Sequence, residues 1–455
     1  MEDHFIPVGA PVHRRRLSRL QTALAARRNV LELIPALSYR QAIVSGEMLM
    51  RWHMLADPGG MKRVMLDNLS NYPKSEIMRR MLRPAIGDSL FNADGADWKW
   101  QRRAVVPVFT HRNVLALAPA MTRTAGRVCE RLRACGGRAE MVGEMLTATF
   151  DVICDVALSG REHFDGHTFG AAITDYFRTA GRASLLDFLG FPQWFPRPGE
   201  LVAGRSVKTM HEMVGAAIEA RRRQAGAPAD DLLAHMLEAR DPETGQRMSP
   251  QELIFNMQFF IVAGHETTAL ALAWALYLLA NSPVEQDKAR SQARGVLQAR
   301  NAGPDDLAAL PFIRQVLEEA MRLYPPVPFM SREARSRDQI GEVTVAAGTR
   351  IIIAPWVLHR HRKLWPDADM FAPERFAPQN RGRIPRFAYL PFGAGPRICV
   401  GATFAMQEAL LALTMIARRF RLTLAEGAEV MPFARMTLRP MHGLPMRVEK
   451  RNGAP

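Results

Sequence analysis

The chain has 455 residues and carries 60 Lys and Arg against 45 Asp and Glu, a formal net charge of +15. Apolar residues reach 48% and charged residues 23%, which excludes a disordered chain and fits a globular protein long enough to build a large core. The basic residues are scattered, without zinc-finger spacing or a paired aromatic motif, so the charge points away from nucleic acid and toward an acidic protein or an anionic surface.

The four cysteines, Cys129, Cys135, Cys154 and Cys399, have no framework spacing, and a chain of this size needs no staples. A reducing cytoplasm is therefore expected. Residues 1–16 hold prolines and the cluster Arg14-Arg15-Arg16 but no apolar core, so they read as neither signal peptide nor membrane anchor. Residues 18–34 form a short basic helix, and residues 44–54 a hairpin. Asp57-Pro58 starts a helix through Leu69, Asp capping and Pro at the first position. Residues 75–94 read as an apolar, Met-rich loop of the kind that lines something, with Met78, Met81, Leu82, Ile86, Leu90 and Phe91 as its large side chains.

Gly95 opens the next helix, on which Trp98 and Arg102 lie four apart and share a face. An indole N–H beside a guanidinium suits a carboxylate, although a Trp packed on an Arg stem fits equally well. Arg103, His111 and Arg112 add positive charge nearby. Helices follow near 114–134 and 139–158. The turn at 188–195 is either a lid over an apolar cavity or a packed surface loop.

Ser249-Pro250 begins the longest helix, expected to reach Ala280; its roughly 30 residues would span about 45 Å. It is apolar nearly all round, so it crosses the core. Inside it stands Ala263-Gly-His-Glu-Thr-Thr268, and polar groups in a core helix are costly. The Thr267 hydroxyl can turn to the carbonyl four residues back and loosen the helix. Glu266 and Thr267 pair an acid with an alcohol able to relay protons, or else form a structural network. His265 reads as structural or surface.

Residues 311–324 form a helix that sets Glu319 and Arg322 three apart as an ion pair. Pro325 to Pro328 then places Val327, Phe329 and Met330 in a rigid extended segment. Residues 341–354 alternate as a hairpin, and Arg375 in the proline-dense stretch 364–386 can reach back to the Glu319–Arg322 pair. Phe392-Gly-Ala-Gly-Pro-Arg-Ile-Cys-Val-Gly401 crowds one cysteine into a tight loop before the apolar helix 402–416. Nearby N–H groups and the helix dipole would hold Cys399 as a thiolate metal ligand, the alternative being inert packing. A lone cysteine cannot build a four-ligand zinc site, so the metal would arrive with its other ligands, as haem iron does.

Together these motifs resemble the cytochrome P450 family from about residue 39 to the C-terminus. Phe392, Gly395, Arg397, Cys399 and Gly401 match every fixed position of its cysteine-loop pattern, Phe-x-x-Gly-x-Arg-x-Cys-x-Gly. The resemblance implies a mainly α fold with small β-sheets: a single large haem-binding catalytic domain over 39–455 with a long central helix, behind an N-terminal extension at 1–38. It implies haem b (iron protoporphyrin IX) with Cys399 as axial ligand, and propionates held by Arg397, Trp98 and Arg102. Glu266 and Thr267 would handle protons at bound oxygen, and Glu319, Arg322 and Arg375 would form a structural triad behind the haem.

The activity implied is monooxygenation of a mid-sized hydrophobic substrate by dioxygen, in a pocket with Met78, Leu90, Phe91, Ala263, Val327 and Phe329. A fatty acid, terpenoid, steroid or aromatic compound would fit. Arg79, Arg80 or Arg83 as a carboxylate anchor tilts the choice toward fatty acids. Electrons would come from a ferredoxin or flavodoxin with its NAD(P)H-dependent reductase, docking over the helix expected to carry Arg102, Arg103, His111 and Arg112. The length and lack of an anchor resemble the soluble bacterial type, expected to be a cytoplasmic monomer that binds no nucleic acid. A hydrogen-peroxide-dependent peroxygenase and a haem-based sensor are the competing classes. The intact Glu266-Thr267 pair argues against the first, and the lack of a visible output domain against the second.

Overall fold

The computed structural model describes residues 5–13, 17–47, 50–157, 165–179, 198–223 and 231–451. In chain order the helices are α1 (Arg19–Arg28), α2 (Pro58–Lys62), α3 (Glu76–Ile86), α4 (Gly95–Val105), α5 (His111–Ala116), α6 (Ala118–Ala134), α7 (Met141–Ala157) and α8 (Gly166–Thr179). They continue as α9 (Pro198–Arg223), α10 (Leu232–Glu238), α11 (Pro250–Ala280), α12 (Pro283–Leu297), α13 (Pro311–Leu323), α14 (Pro355–Leu358), α15 (Pro378–Arg381) and α16 (Ala402–Arg419). The strands are β1 (Ile43–Glu47), β2 (Arg51–Leu55), β3 (Arg138–Glu140), β4 (Met330–Glu333), β5 (Asp338–Ile340) and β6 (Val343–Val345). After them come β7 (Arg350–Ile353), β8 (Phe420–Leu424), β9 (Pro432–Ala434), β10 (Leu438–Pro440) and β11 (Pro445–Lys450). The fold is mainly helical with small sheets, as the sequence leads one to expect.

Two compact units result. One is built from Met1–Tyr72, Met121–Ala148 and Thr267–Pro455, the other from Pro73–Ala120 and Thr149–Glu266.

In the first unit, the β1–β2 hairpin extends into a four-stranded sheet of order β1-β2-β7-β4. β7 pairs parallel with β2, setting His53 opposite Ile351, and antiparallel with β4. A second sheet has the order β3-β11-β8. Beneath the first sheet lies an apolar cluster with Leu55, Met65, Tyr72, Ile351, Ile353, Leu358 and Leu390. The second half of α11 is buried all round: Leu270, Leu272, Leu276, Leu278 and Leu279 are each at most 2% exposed. Each such side chain contributes about 1.5–3 kcal/mol on burial. Trp274 stacks on Tyr324 at 3.9 Å and donates its indole N–H to the Leu438 carbonyl at 2.9 Å. An 18-residue window of α11 is apolar enough to cross a membrane, yet 67% of it is buried, which makes this a core helix.

In the second unit, α8 packs along α9, and α3 lies against α9. Asn256 on α11 accepts the Leu90 N–H at 2.9 Å and donates to the Gln101 side chain at 3.2 Å, tying three segments at one buried amide. Phe91, Phe259, Phe260 and Phe109 make a chain of ring contacts 5.3–5.7 Å apart.

Several expectations are corrected. Residues 76–86 are helical rather than loop, with Glu76 in the first turn and Leu82, Ala85 and Ile86 buried on one side. Pro84 disguised this helix; it forfeits the N–H bond to the Arg80 carbonyl, a cost that burial of one side of the helix offsets. The hairpin read at 341–354 is divided. β6 turns back on β5, whereas β7 leaves to join β2 and β4, because the Ile-rich strand is buried only in the larger sheet. The helix beginning at Asp57 is α2 followed by one wide π-type stretch, Arg63–Asp67. Arg102 and Arg103 lie on α4 but His111 and Arg112 on α5, so they do not share a helix. The 188–195 turn lies outside the described residues.

Candidate cofactor and catalytic site

Gly393 and Gly395 of the cysteine loop both adopt positive φ, +75° and +67°. A Cβ on Gly395 would stand 2.0 Å from the Met65 carbonyl oxygen, so the π-type stretch leaves no room for any side chain there. The loop closes when the Cys399 N–H donates to the Phe392 carbonyl at 2.9 Å. Cys399 is exposed and sits three residues before α16, whose interior face is buried almost to its end. The other cysteines differ in kind. Cys129 and Cys154 are buried, burial pushes the Cys129 thiol up to about 11, and Cys135 donates to the Leu132 carbonyl at 3.0 Å. Among the described residues no group of three His, Cys, Asp or Glu could hold a metal. A metal at Cys399 must bring its remaining ligands with it, and this donor set fits a haem. Arg397 is half-buried in the same loop.

The Glu319–Arg322 pair is completely buried. Arg322 donates Nε to Glu319 Oε2 at 2.6 Å and Nη2 to Oε1 at 2.7 Å, the bidentate fork that only arginine provides. Its remaining N–H groups reach the carbonyls of His359 (2.8 Å), Ala368 (2.6 Å) and Met370 (2.9 Å). Glu319 also accepts the Ala372 N–H at 2.9 Å, and Arg375 Nε stands 3.4 Å from Oε1. The three residues are thus brought together from α13 and the proline-dense stretch. Burial, the largest influence on it, draws the Arg375 guanidinium below its usual range.

On α11, Glu266 is buried, while Ala263, Gly264, His265 and Thr267 are half-buried in an otherwise enclosed helix. The His265 carbonyl accepts the Thr149 hydroxyl at 2.8 Å, and the His265 ring meets Phe150 edge-on at 5.4 Å, contacts that favour the structural of its two expected roles over the surface one. In the second unit, Trp98 is buried and Arg102 half-buried on α4. Arg103 is bound by Asp241 at 2.7 and 2.6 Å and holds that carboxyl well below the usual carboxylate range. This pair braces α4. Met78 and Phe91 are half-buried and Leu90 is buried, with the Lys74 ammonium 3.5 Å over the Phe91 ring. Val327 and Phe329 are half-buried in the first unit. Arg83 pairs with Asp88 at 3.0 Å and Arg79 approaches Glu76 at 3.7 Å, which weakens both as carboxylate anchors.

Sequence reasoning passed over three buried polar groups. Thr268 is 3% exposed and its hydroxyl has no partner among the described residues. Glu408 on α16 is 4% exposed, and burial alone drives its carboxyl well above the usual range. His359 is fully buried and joins the Arg322 network to the chain entering the cysteine loop. The doubled threonine was a visible signal; the other two became visible only through contacts with distant residues.

Residues 47–445 match the family described as "Cytochrome P450". Protein LUTEIN DEFICIENT 5, chloroplastic, of Arabidopsis thaliana is 29% identical across 88% of this chain and 70% of its own length. Cyclooctat-9-en-7-ol 5-monooxygenase of Streptomyces melanosporofaciens is 31% identical across 76% of this chain and 75% of its own. Among solved structures, the cytochrome P450DA heme domain superposes with a TM-score of 0.81 at 25% identity, covering 90% of each chain.

Proposed function

Since the chain belongs to the cytochrome P450 family and is a haem-thiolate monooxygenase, we propose that Cys399 is its axial ligand and that it oxidises a mid-sized hydrophobic molecule. The observation that carries this reading is the exposed Cys399 thiol, presented by a loop whose Gly395 admits no side chain. Residues 39–455 act as one catalytic domain in this reading.

Haem b, when bound, supplies activation of dioxygen at a thiolate-ligated iron. The chain supplies the rest. Cys399 binds as an anion, favoured by the loop and by the start of α16. Arg397 offers a cation to one carboxylate of the haem, and Trp98 with Arg102 offers an N–H and a guanidinium to such a group. The Glu266 carboxyl and the Thr267 hydroxyl hold and move protons along α11, where the half-buried Ala263 and Gly264 leave the helix surface open. Glu319, Arg322 and Arg375 keep the proline-dense stretch in register. Met78, Leu90, Phe91, Ala263, Val327 and Phe329 bind apolar surface and exclude water.

The substrate class is a hydrocarbon skeleton with few polar groups. Support comes from these side chains and from the relative that acts on cyclooctat-9-en-7-ol; the acids beside Arg79 and Arg83 weaken the argument for a fatty acid. Electrons come from a redox partner, which we propose is a separate acidic ferredoxin or flavodoxin served by an NAD(P)H-dependent reductase. The net charge of +15 suits such a partner, steering it over a Debye length of about 10 Å at 0.1 M salt. Cytoplasmic residence and a monomeric state complete the proposal.

Cys399→Ala tests the reading. The wild-type protein should give a thiolate-type carbon monoxide spectrum and turn over with a ferredoxin system better than with peroxide, and the variant should lose both spectrum and turnover. A thiolate-type spectrum that survives in the variant would remove Cys399 from the site.

A further inference from the structure

Leu390 ends the aromatic run that feeds the cysteine loop, and its peptide is held at both ends. Its carbonyl accepts the Gly393 N–H at 3.2 Å, and its N–H donates to Nε2 of His359 at 2.8 Å. Pro391 follows and has no N–H to give. Phe392 comes next, and its carbonyl accepts the Cys399 N–H at 2.9 Å. The His359 ring therefore grips the segment entering the loop, two residues before the peptide that closes on the cysteine.

The other end of His359 is anchored as firmly. Its carbonyl takes Arg322 Nη1 at 2.8 Å, its own N–H donates to the Pro355 carbonyl at 2.9 Å, and its ring lies 5.2 Å from that of Tyr389. Tyr389 in turn donates its hydroxyl to the Glu318 carbonyl at 2.8 Å, on the same helix as Arg322. Accepting at Nε2 requires a neutral imidazole with its proton on Nδ1. The surroundings keep the ring neutral: burial first, then the Arg322 and Arg360 cations, bring the His359 pKa down to about 3.

We propose that His359 is a positioning residue for the cysteine ligand: a neutral hydrogen-bond acceptor that transmits the rigidity of the Glu319–Arg322 pair to the loop and so sets the placement of the Cys399 sulphur. The proposal rests on Cys399 being the axial ligand. A histidine present only to fill space could be exchanged for an apolar ring. One that grips the Leu390 N–H can be replaced only by a side chain offering an acceptor at the same reach. Glutamine places its amide oxygen near the position of Nε2, and asparagine only near that of Nδ1.

The test uses the haem-loaded full chain as wild type and as His359→Phe, His359→Asn and His359→Gln. Readouts are the rate of haem transfer to excess apomyoglobin, the persistence of the thiolate-type carbon monoxide band, and amide exchange at Leu390. The Phe and Asn variants should lose haem about tenfold faster, equivalent to about 1.4 kcal/mol, with the thiolate band decaying and Leu390 exchange accelerating in parallel. His359→Gln should stay within about twofold of wild type on all three, less than 0.5 kcal/mol on the same scale. Should His359→Phe fail to fold, the Asn and Gln pair decides. Equal behaviour of those two, or wild-type haem retention in the Phe variant, overturns the proposal. A wild-type protein without a thiolate-type band would instead overturn the Cys399 assignment beneath it, so the two failures are distinguishable.

Discussion

Arg322→Ala probes the buried pair behind the cysteine loop. The wild-type guanidinium has no exposed surface and makes five hydrogen bonds, two to Glu319 and three to backbone carbonyls 37 to 48 residues away in sequence. Truncation leaves Glu319, equally buried, with the Ala372 N–H and with Arg375 at 3.4 Å. Breaking a buried pair by removing one partner costs about 3–5 kcal/mol, and each carbonyl that water cannot reach adds about 1–3 kcal/mol. Arg375 offsets part of the first contribution and water entering the vacated space part of the second, so the expected loss is about 4 kcal/mol or more. Set against the roughly 5–15 kcal/mol that stabilises a typical domain, this is a large share. Arg322→Lys keeps the charge but not the fork and should fall between the two. Urea unfolding, followed by far-UV circular dichroism and by tryptophan fluorescence, measures the loss; two probes are needed because the chain has two compact units. Haem content after expression measures the consequence. A loss under about 1 kcal/mol in Arg322→Ala would refute the argument, because it would mean that the buried carboxylate is satisfied without its partner.

Thr267→Ala should leave haem content and substrate binding near wild type while product formed per NAD(P)H consumed falls and peroxide rises; unchanged coupling would make the hydroxyl merely structural. Glu408→Gln should be most stabilising at high pH. The folded carboxyl keeps its proton because burial raises its pKa, whereas the unfolded one loses it above about 4.3, so wild-type stability declines by about 1.4 kcal/mol per pH unit above that value until the folded group itself ionises. Unfolding free energies of the two proteins, taken from urea titrations, should coincide near pH 4 and separate as the pH rises above it, by at most about 1.4 kcal/mol per unit. A gap that does not change with pH would show that Glu408 is ionised in the fold.

Much of the chemistry was legible from local sequence because its signals are local. Gly393, Gly395 and Pro396 ahead of Cys399 dictate a tight loop whatever surrounds it, and a tight loop is what the chain adopts, with Gly393 and Gly395 at positive φ. The apolar run from Phe255 to Leu279 specifies a core helix by its composition alone, and Glu266-Thr267 stands out because polar groups there are costly. Glu319 and Arg322 meet because helical geometry brings every third residue to the same face.

Tertiary structure decided whatever depends on residues far apart in the chain. That Arg375 stands 3.4 Å from Glu319 was only a possibility in the sequence, and that Arg103 belongs to Asp241 was not visible there. Residues 76–86 became helix despite Pro84, since Leu82, Ala85 and Ile86 gain more from burial than the turn loses. β7 abandoned its sequence neighbour for β2 and β4, a choice set by which sheet could bury its isoleucines. The role of His359 lies wholly at this level. Its sequence neighbours reveal nothing of Leu390, 31 residues on, and only the folded chain brings the two within 2.8 Å, where a neutral ring can accept the proton of a peptide.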